Sequence, residues 1–250
     1  MKGTSIHLQK DSYQKELKKS KFENLILRLT YTFFISHSEK FLKNKTINCA
    51  DIGCGAGRFA RTFLISRRKN SKNNTFYTGV DASEKVGKKY KLNNPNSNFI
   101  LDNAEKLDNL KTEGYDLVAS HHNIEHLYNP YSFLKQTNRI LKKNGYLYLS
   151  CPNPSSLTAY YFPNTWEGFT TEEHVSLQSP FTYRKWLLEN NFKIIKDGTS
   201  LLSGNPYVKK FKILKFLNYL ILLIFNGCIS WPLGEAYVCI AQKTQNNENQ

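Results

Sequence analysis

The chain has 250 residues, of which 40% are hydrophobic and 14% aromatic. This is enough apolar material for one domain with a full core. It excludes a disordered or collagen-like chain, because those chains bury too little apolar surface to offset their loss of conformational entropy. Lys and Arg number 35 against 20 Asp and Glu, a formal charge of +15. Such a charge favours binding to a polyanion, such as RNA, an anionic membrane or a phosphorylated substrate. The alternative is that the basic residues form an ordinary solvated surface.

The five cysteines are scattered, with no CxxC pair and no zinc-finger spacing, which is typical of a reducing compartment. Residues 1–19 have no apolar run between their charges. We therefore expect neither a secretory signal nor a membrane anchor, and we predict a cytoplasmic protein.

In chain order, residues 12–43 carry apolar side chains at helical spacing, which predicts one or two amphipathic helices in an N-terminal extension over 1–45. From Thr46 onward, short apolar runs alternate with helical patterns. Five runs are typical of strands: INCADIG, FYTGVDA, NFILDNA, YDLVASHHN and YLYLSCPNP. Helical periodicity lies between them, as in FARTFLISRRK and in residues 131–142, and Asn144-Gly145 is expected to end the second of these helices.

Strands that alternate with helices predict a parallel, doubly wound α/β sheet. Two later strands, FKIIKDG and EAYVCIAQK, lie outside this alternation and predict a hairpin-like edge. The expected fold is a seven-stranded, mostly parallel sheet with an antiparallel last strand, in a single domain over residues 1–250.

A glycine-rich segment, CADIGCGAGRF, joins the first of these strands to the next helix through Gly53, Gly55 and Gly57. Glycine lets a backbone turn sharply and approach a ligand closely. The spacing is G-x-G-x-G and differs from the G-x-G-x-x-G of dinucleotide sites. The loop is therefore predicted to hold a ligand without a pyrophosphate.

An acidic residue lies at the end of each of the first three strands: Asp51, Asp81 and Asp102. Asp81 is placed where a carboxylate accepts both hydroxyls of a ribose. Asp102 is placed to bond an exocyclic amine, with Ala104 near the base ring. The alternative is an unrelated α/β fold with a tight turn and two surface acids.

These motifs, in this order, resemble those of the class I S-adenosylmethionine-dependent methyltransferases over residues 46–243. The resemblance implies a cofactor-binding core at 46–150, in which the glycine loop holds the amino-acid part, the second acid the ribose and the third acid the adenine. The stretch SHHNIEHLYNPYSFLKQTNRILKKNGYLYLSCPNP is similar to the subgroup that contains ubiquinone-biosynthesis and small-molecule O-methyltransferases. The cofactor-binding residues implied are Asp51, Gly53, Gly55, Gly57, Asp81, Ala82, Asp102, Asn103 and Ala104.

Methyl transfer from a sulfonium is an in-line displacement, in which a hydroxyl acceptor needs positioning and a base. The candidate bases are His121, His122, Glu125, His126 and His174. Residues just beyond the fourth strand face the ligand crevice of a doubly wound sheet, which places His121, His122 and Asn123 beside the cofactor. We assign His126 and His174 as the catalytic residues; in the subgroup that TEEHVSLQSPFT resembles, a histidine before the helix faces the active-site cleft.

His122, Glu125 and His126 have the spacing i, i+3, i+4, which on a helical turn gives two histidines and a carboxylate on one face, a set that a divalent metal accepts. Related ubiquinone-pathway methyltransferases carry acid, acid and histidine at these positions and use a divalent cation there. In this chain His122 replaces the first acid. Because magnesium prefers oxygen ligands, this replacement argues against magnesium as the cation. The alternative is that Glu125 and His126 only pair with and orient their neighbours.

Two further segments bear on the substrate. Residues 151–191 form an aromatic-rich insert and a helix from Phe181 to Asn190, predicted to select the substrate or to be an ordinary lid core. Residues 207–233 are basic, then apolar, with no acid between Gly204 and Gly234. This segment is too short to span a bilayer, and it either lies on an anionic membrane surface or packs as a lid or dimer helix.

We therefore predict a methyltransferase that uses S-adenosyl-L-methionine to methylate a hydroxyl of a small or lipid-linked molecule, such as a surface-glycan sugar or a quinone-like precursor. One alternative is an RNA methyltransferase. Against it, SHHN stands where adenine-amine methylating families carry N/D-P-P-Y/F, and the Pro-Cys of cytosine methylation is reversed in CPNP. A non-catalytic relative of the fold is the other alternative. The sequence leaves the acceptor and the oligomeric state open.

Overall fold

The computed structural model describes residues 31, 34–37, 40–42, 45–70, 74–200, 207, 210–224 and 234–244. Within these residues a seven-stranded sheet has the order β3-β2-β1-β4-β5-β7-β6. Its strands are β1 (Ile47–Ile52), β2 (Thr75–Asp81), β3 (Asn98–Leu101), β4 (Tyr115–His121), β5 (Leu141–Pro152), β6 (Phe192–Ser200) and β7 (Ala236–Lys243).

Helices lie between the strands along the chain. The connections between parallel strands contain α1 (Arg58–Asn70), α2 (Glu84–Asn93), a single 3-10 turn (Ile124–His126) and α3 (Pro130–Ile140). After β5 come α4 (Leu157–Tyr161), α5 (Glu167–Thr170) and α6 (Pro180–Glu189), and α7 (Lys212–Ile224) precedes β7.

The sheet confirms the predicted doubly wound α/β fold. Strands β1 to β5 pair in parallel, whereas β7 pairs antiparallel with both β5 and β6. The chain moves outward from β1 to β3, then returns to place β4 on the other side of β1. Such a reversal opens a crevice at the carboxyl ends of the strands, where ligands bind in this architecture.

Helix starts follow local capping chemistry. The side chain of Asn129 accepts a hydrogen bond from Ser132 N at 2.9 Å, and Pro130 occupies the first helical turn of α3. Ser179 caps α6 in the same way through Thr182 N at 3.1 Å, with Pro180 following it. A capping oxygen and a proline both suit a first turn, because its N–H groups have no partner within the helix.

Two helix boundaries differ from the prediction. Helix α3 ends at Ile140, four residues before Asn144, because Leu141 is fully buried and pairs with Tyr115 in the sheet. Asn144 lies instead within β5, with φ +60°, where the register of β5 against β4 shifts between Leu141 and Tyr146. Helix α6 begins at Pro180 and ends at Glu189, one residue earlier at each end than expected.

The core lies on both faces of the sheet. Along β4 and β5, alternate side chains enter two different clusters: Val118 and Leu149 pack into one, Leu117 and Tyr148 into the other. This alternation is the two-residue period of a strand. Helical residues of the N-terminal extension join the second cluster, where the Phe34 ring stacks on Tyr148 with centroids 4.0 Å apart. The rest of the predicted N-terminal helices lies outside the described residues.

Candidate active site

The carboxyl ends of β1, β2 and β4 meet at one edge, since Asp51 is in register with Gly79 of β2 and Ala119 of β4. The glycine loop leaves β1 at this edge. Gly53, Gly55 and Gly57 have φ of +73°, +51° and +77°. These are left-handed conformations that favour glycine, so all three predicted glycines are required by the turn itself.

The loop is held from two sides. A Cβ on Gly53 would lie 2.4 Å from the Asn123 side chain, which fills the space beneath the loop. On the other side, the Asn93 and Asn94 side chains donate hydrogen bonds to the carbonyls of Ala56 and Gly57 at 2.8 and 3.2 Å. The loop is therefore held by packing and hydrogen bonds independently of any ligand.

Asp81 lies beside the loop at the end of β2. One carboxylate oxygen accepts from Gly55 N at 3.2 Å and the other from Ser83 N at 3.0 Å, across Ala82. These amides fix the carboxylate at the point where the loop and the second strand meet. This is the position expected of the ribose acid.

Asp102 follows β3 and sits next to Asp81, because its amide donates to the Asp81 carbonyl at 3.1 Å. Its carboxylate accepts from Asn103 N at 2.7 Å and from Asn109 N at 2.8 Å. Asn103 is exposed, whereas Ala104 packs against the core cluster. The predicted adenine-side residues thus form one ordered turn at the mouth of the crevice.

Asp51 is buried beneath the loop, where its carboxylate accepts from the Tyr77 hydroxyl at 3.0 Å. Burial raises the pKa of Asp51 to about 7 despite that hydrogen bond, and Asp81 adds to the rise by charge repulsion. The Asp51 carboxylate thus contacts the neighbouring strand β2, and it is more deeply buried than the carboxylates of Asp81 and Asp102.

His121 ends β4 within an aromatic cluster. Its ring meets that of Tyr31 edge-on at 4.8 Å and lies 4.6 Å from the ring of His122. Tyr31 belongs to the helical residues that precede the sheet. The N-terminal extension therefore contributes directly to this wall of the crevice.

Glu125 is fully buried behind β4. His122 Nδ1 is 3.1 Å from Glu125 Oε1, whereas Oε2 has no hydrogen-bond partner within the described part of the chain. Burial opposes ionisation, but the hydrogen bond with His122 and the nearby His126 outweigh it and hold the pKa of Glu125 below its usual range. The site therefore contains an ionised carboxylate, one oxygen of which has no hydrogen-bond partner among the described residues.

His126 and His174 come together from distant parts of the chain, with ring centroids 5.0 Å apart. His126 Nδ1 is 3.0 Å from the Glu173 carbonyl, and His174 Nδ1 is 2.8 Å from the Gly168 carbonyl. A carbonyl oxygen only accepts, so Nδ1 carries the hydrogen and, in each neutral ring, Nε2 carries the lone pair. Burial lowers the pKa of His174.

The predicted helical turn that would carry His122, Glu125 and His126 on one face does not form. The 3-10 turn covers only Ile124–His126, and His122 precedes it with a left-handed backbone at φ +50°. The side chains that gather are Glu125, His126 and His174, with one donor atom of each within 4.8 Å of the others. The regular helical spacing used for the prediction is absent here, because the chain turns immediately after β4.

Sequence reasoning missed several parts of this site. The carbonyls of Gly168 and Glu173, which orient the two histidines, leave no signal in a sequence. The contact of Tyr31 with His121 is equally hidden. Asn123, which the sequence placed beside the cofactor, lies two residues beyond β4 and packs its side chain against Gly53 of the glycine loop.

The residues fit S-adenosylmethionine. Cys54 and Ala56 are buried, whereas Gly53 and Gly55 are partly exposed, so backbone atoms form the accessible surface of the loop. Asp81 and Asp102 follow at the ends of the next two strands, within reach of one nucleoside. Fold and site together define a class I S-adenosylmethionine-dependent methyltransferase.

Comparison with known proteins agrees with this class of enzyme. The family model described as "Methyltransferase domain" matches residues 22–197, which is more than half of the chain. The chain therefore belongs to this methyltransferase family.

The chain is also similar to curated enzymes and solved structures. It is 30% identical to the ubiquinone biosynthesis O-methyltransferase of Pelagibacter ubique (strain HTCC1062), over 72% of this chain and 79% of the relative. It is 24% identical to the enzyme of the same name from Bradyrhizobium diazoefficiens, over 76% and 78%. The crystal structure of the plantazolicin methyltransferase BamL, in complex with a triazolic desmethylPZN analog and SAH, matches with a TM-score of 0.62 at 18% identity, over 95% of this chain and 91% of that one.

Proposed function

We propose that the enzyme transfers the methyl group to a hydroxyl of a small or lipid-linked molecule, such as a surface-glycan sugar or a quinone-like precursor. The observation that carries this proposal is the His126–His174 pair, in which both Nδ1 atoms are held by backbone carbonyls and both Nε2 lone pairs are left for an acceptor. The names of the two ubiquinone biosynthesis O-methyltransferases support an oxygen acceptor.

S-adenosylmethionine, when bound, supplies an electrophilic methyl group on a sulfonium. Transfer breaks the carbon–sulfur bond, leaves its electron pair on sulfur and forms a carbon–oxygen bond. In this proposal Nε2 of His174 accepts the hydroxyl proton and passes it to solvent, while His126 orients the hydroxyl. The lowered pKa of His174 supports this role, since a neutral imidazole is the form that accepts a proton.

The test is methyl transfer from labelled S-adenosylmethionine to simple phenols, catechols and hexoses, with RNA as a separate acceptor. We expect an ether product, and we expect His174→Ala to lower kcat by about 10²–10⁴-fold without changing the affinity for S-adenosylhomocysteine. His37→Ala is the matched control, because His37 is bonded to Ser36 and Lys196. Methylated RNA with no ether product would contradict the proposal.

We also propose that α7 lies on an anionic membrane surface and brings the site to a lipid-linked acceptor. Large apolar side chains on α7 are exposed, among them Ile213, Phe216 and Ile224, and exposed Lys210 lies just before it. An apolar face next to lysines is the arrangement of an interfacial helix. No helix in the described ranges is long and apolar enough to cross a bilayer.

Sedimentation with vesicles of phosphatidylglycerol and phosphatidylcholine tests this contact. We expect binding only to the anionic vesicles, weakened by salt and lost in Phe216→Glu, but kept in Leu92→Glu, where an exposed leucine of α2 is changed. Light scattering measures the oligomeric state. A protein that does not bind vesicles and forms a dimer that Phe216→Glu dissociates would contradict the proposal and make α7 an interface between two copies.

A further inference from the structure

An aromatic wall, formed by the rings of Tyr31, Phe59 and His121, lines the crevice between the glycine loop and the end of β4. The Tyr31 ring lies 5.1 Å from that of Phe59 and 4.8 Å from that of His121, nearly perpendicular to both. The three residues come from the helical residues before the sheet, the start of α1 and the end of β4. We propose that Tyr31, together with His121, recognises the positive charge of the S-adenosylmethionine sulfonium and so distinguishes this cofactor from S-adenosylhomocysteine.

The position of the wall in the fold supports this role. Because the strand order is β3-β2-β1-β4, Asp81 on β2 and the acceptor-side residues after β4 lie on opposite sides of β1. A cofactor with its ribose at Asp81 must therefore direct its methyl group toward β4 to reach an acceptor. His121 is the last residue of β4, and Phe59 follows the last glycine of the loop by two residues. The rings thus border the part of the crevice that the sulfonium needs.

The chemistry of a sulfonium favours aromatic rings over hydrogen-bond acceptors. A sulfonium has no N–H or O–H to donate, so its charge is recognised in the same way as that of a quaternary ammonium, by aromatic rings within about 6 Å. The carboxylates beside the glycine loop are engaged with other groups. Asp81 accepts from two backbone amides, and Asp51 accepts from the Tyr77 hydroxyl.

Packing holds the wall in place from behind. Tyr31 and Phe59 are both buried in the core cluster on this face of the sheet. The Phe59 ring lies nearly parallel to that of Tyr148, with centroids 5.7 Å apart, and the Phe34 ring stacks on the same tyrosine at 4.0 Å. A ring that is already fixed loses little conformational entropy when a ligand arrives, so more of the attraction contributes to binding.

The wall acts on one side of the reaction only. Methyl transfer leaves the electron pair on sulfur, so the product S-adenosylhomocysteine has a neutral sulfur and loses the attraction to the rings. Tyr31 and His121 therefore favour the methyl donor over the product and limit inhibition by the product. This role concerns the cofactor and does not depend on the identity of the acceptor.

Binding measurements test this role without any measurement of activity. Calorimetric titration gives the Kd of S-adenosylmethionine, of S-adenosylhomocysteine and of sinefungin, in which a protonated amine replaces the methylated sulfur. In Tyr31→Leu we expect both cationic ligands to lose about 5- to 30-fold in affinity relative to S-adenosylhomocysteine, which corresponds to about 1–2 kcal/mol. Tyr31→Phe keeps the ring and is expected to keep the natural ratio of affinities.

Two further variants complete the test. His121→Leu is expected to lower the same ratio of affinities, and it decides the matter if Tyr31→Leu does not fold. Phe34→Leu is the matched control, because it removes a buried ring of the same cluster that stacks on Tyr148. Its ratio is expected to stay at the natural value. Binding of S-adenosylhomocysteine shows that each variant is folded.

Three outcomes would overturn the proposal. An equal loss of affinity for all three ligands in Tyr31→Leu would mean that the ring only supports the shape of the site. A loss for S-adenosylmethionine without a loss for sinefungin would assign the effect to contact with the methyl group, not to charge. Natural ratios in both Tyr31→Leu and His121→Leu would place the sulfonium away from these rings.

Discussion

At the scale of single residues, Asp51 is an expected site residue that destabilises the folded state at neutral pH. Its carboxyl group is buried against Tyr77, and its pKa is raised from 3.8 to about 7, mainly by burial. The folded state therefore keeps the proton over a pH range in which the unfolded chain has released it. Because the folded pKa is the higher one, stability from this group is present below pH 3.8 and is lost as the pH rises to about 7.

Asp51→Asn tests this linkage. The free energy of unfolding of the natural protein is expected to fall by up to about 4 kcal/mol through this group between pH 4 and pH 7, and the variant is expected to lack that slope. Urea unfolding at several pH values measures the difference. Asp108→Asn changes an exposed acid and is expected to leave the slope unchanged. Parallel profiles for Asp51→Asn and the natural protein would contradict the assignment.

Asp81 is expected to act on binding. Replacing it with alanine removes a charged acceptor that is positioned by the Gly55 and Ser83 amides. We expect Asp81→Ala to weaken S-adenosylhomocysteine binding by at least about 100-fold, since two hydrogen bonds to a charged group contribute about 1.5–3 kcal/mol each. Calorimetric titration measures the change, with Glu189→Ala on α6 as a control. Normal affinity in Asp81→Ala would show that the ribose lies elsewhere.

At the scale of elements, the segment between β5 and α6 positions a catalytic candidate through its backbone. The Trp166 ring is buried and covers Gly168, where an added Cβ would lie 2.2 Å from the ring. The carbonyl of the same glycine accepts from His174. Packing of Trp166 thus fixes the orientation of the His174 imidazole, eight residues further along.

Gly168→Ala is therefore expected to slow transfer by moving this carbonyl. The added methyl also overpacks the Trp166 contact, which costs about 1–3 kcal/mol of stability. Steady-state kinetics should show a lower kcat with unchanged affinity for S-adenosylhomocysteine. Gly114→Ala, in the loop before β4, controls for a general effect of an added methyl. Equal kcat values in the two variants would argue against a role for the Gly168 carbonyl.

At the scale of the whole molecule, the reversal of strand order brings together segments that are far apart in the chain. The glycine loop follows β1, Glu125 and His126 follow β4, and His174 comes from beyond β5. A ligand that contacts the ends of several strands ties them together. Binding is therefore expected to stabilise the fold as a unit.

A thermal shift measures this stabilisation. S-adenosylhomocysteine at 100 times its Kd is expected to add about 2.7 kcal/mol and to raise Tm by roughly 5–10 °C for a domain of this size. NAD at the same concentration is expected to leave Tm unchanged, since the loop lacks the pyrophosphate spacing. A shift that persists in Asp81→Ala would place the ligand outside the proposed site.

The sequence by itself determined the architecture and the cofactor edge. Short apolar runs predicted the strands, and Gly53, Gly55 and Gly57 predicted a sharp turn, because both signals lie in short stretches of neighbouring residues. Asp81 and Asp102 were predictable for the same reason, since the carboxyl ends of parallel strands always meet at one edge.

Only the tertiary structure decided which side chains gather beyond the end of β4. Helical spacing favoured His122 with Glu125 and His126, whereas the folded chain turns at His122 and brings in His174 from 48 residues further along than His126. The end of α3 was decided in the same way, by the pairing of Leu141 with Tyr115. Contacts between distant segments depend on loop paths and on backbone carbonyls, and neither of these is encoded in a local pattern of residue types.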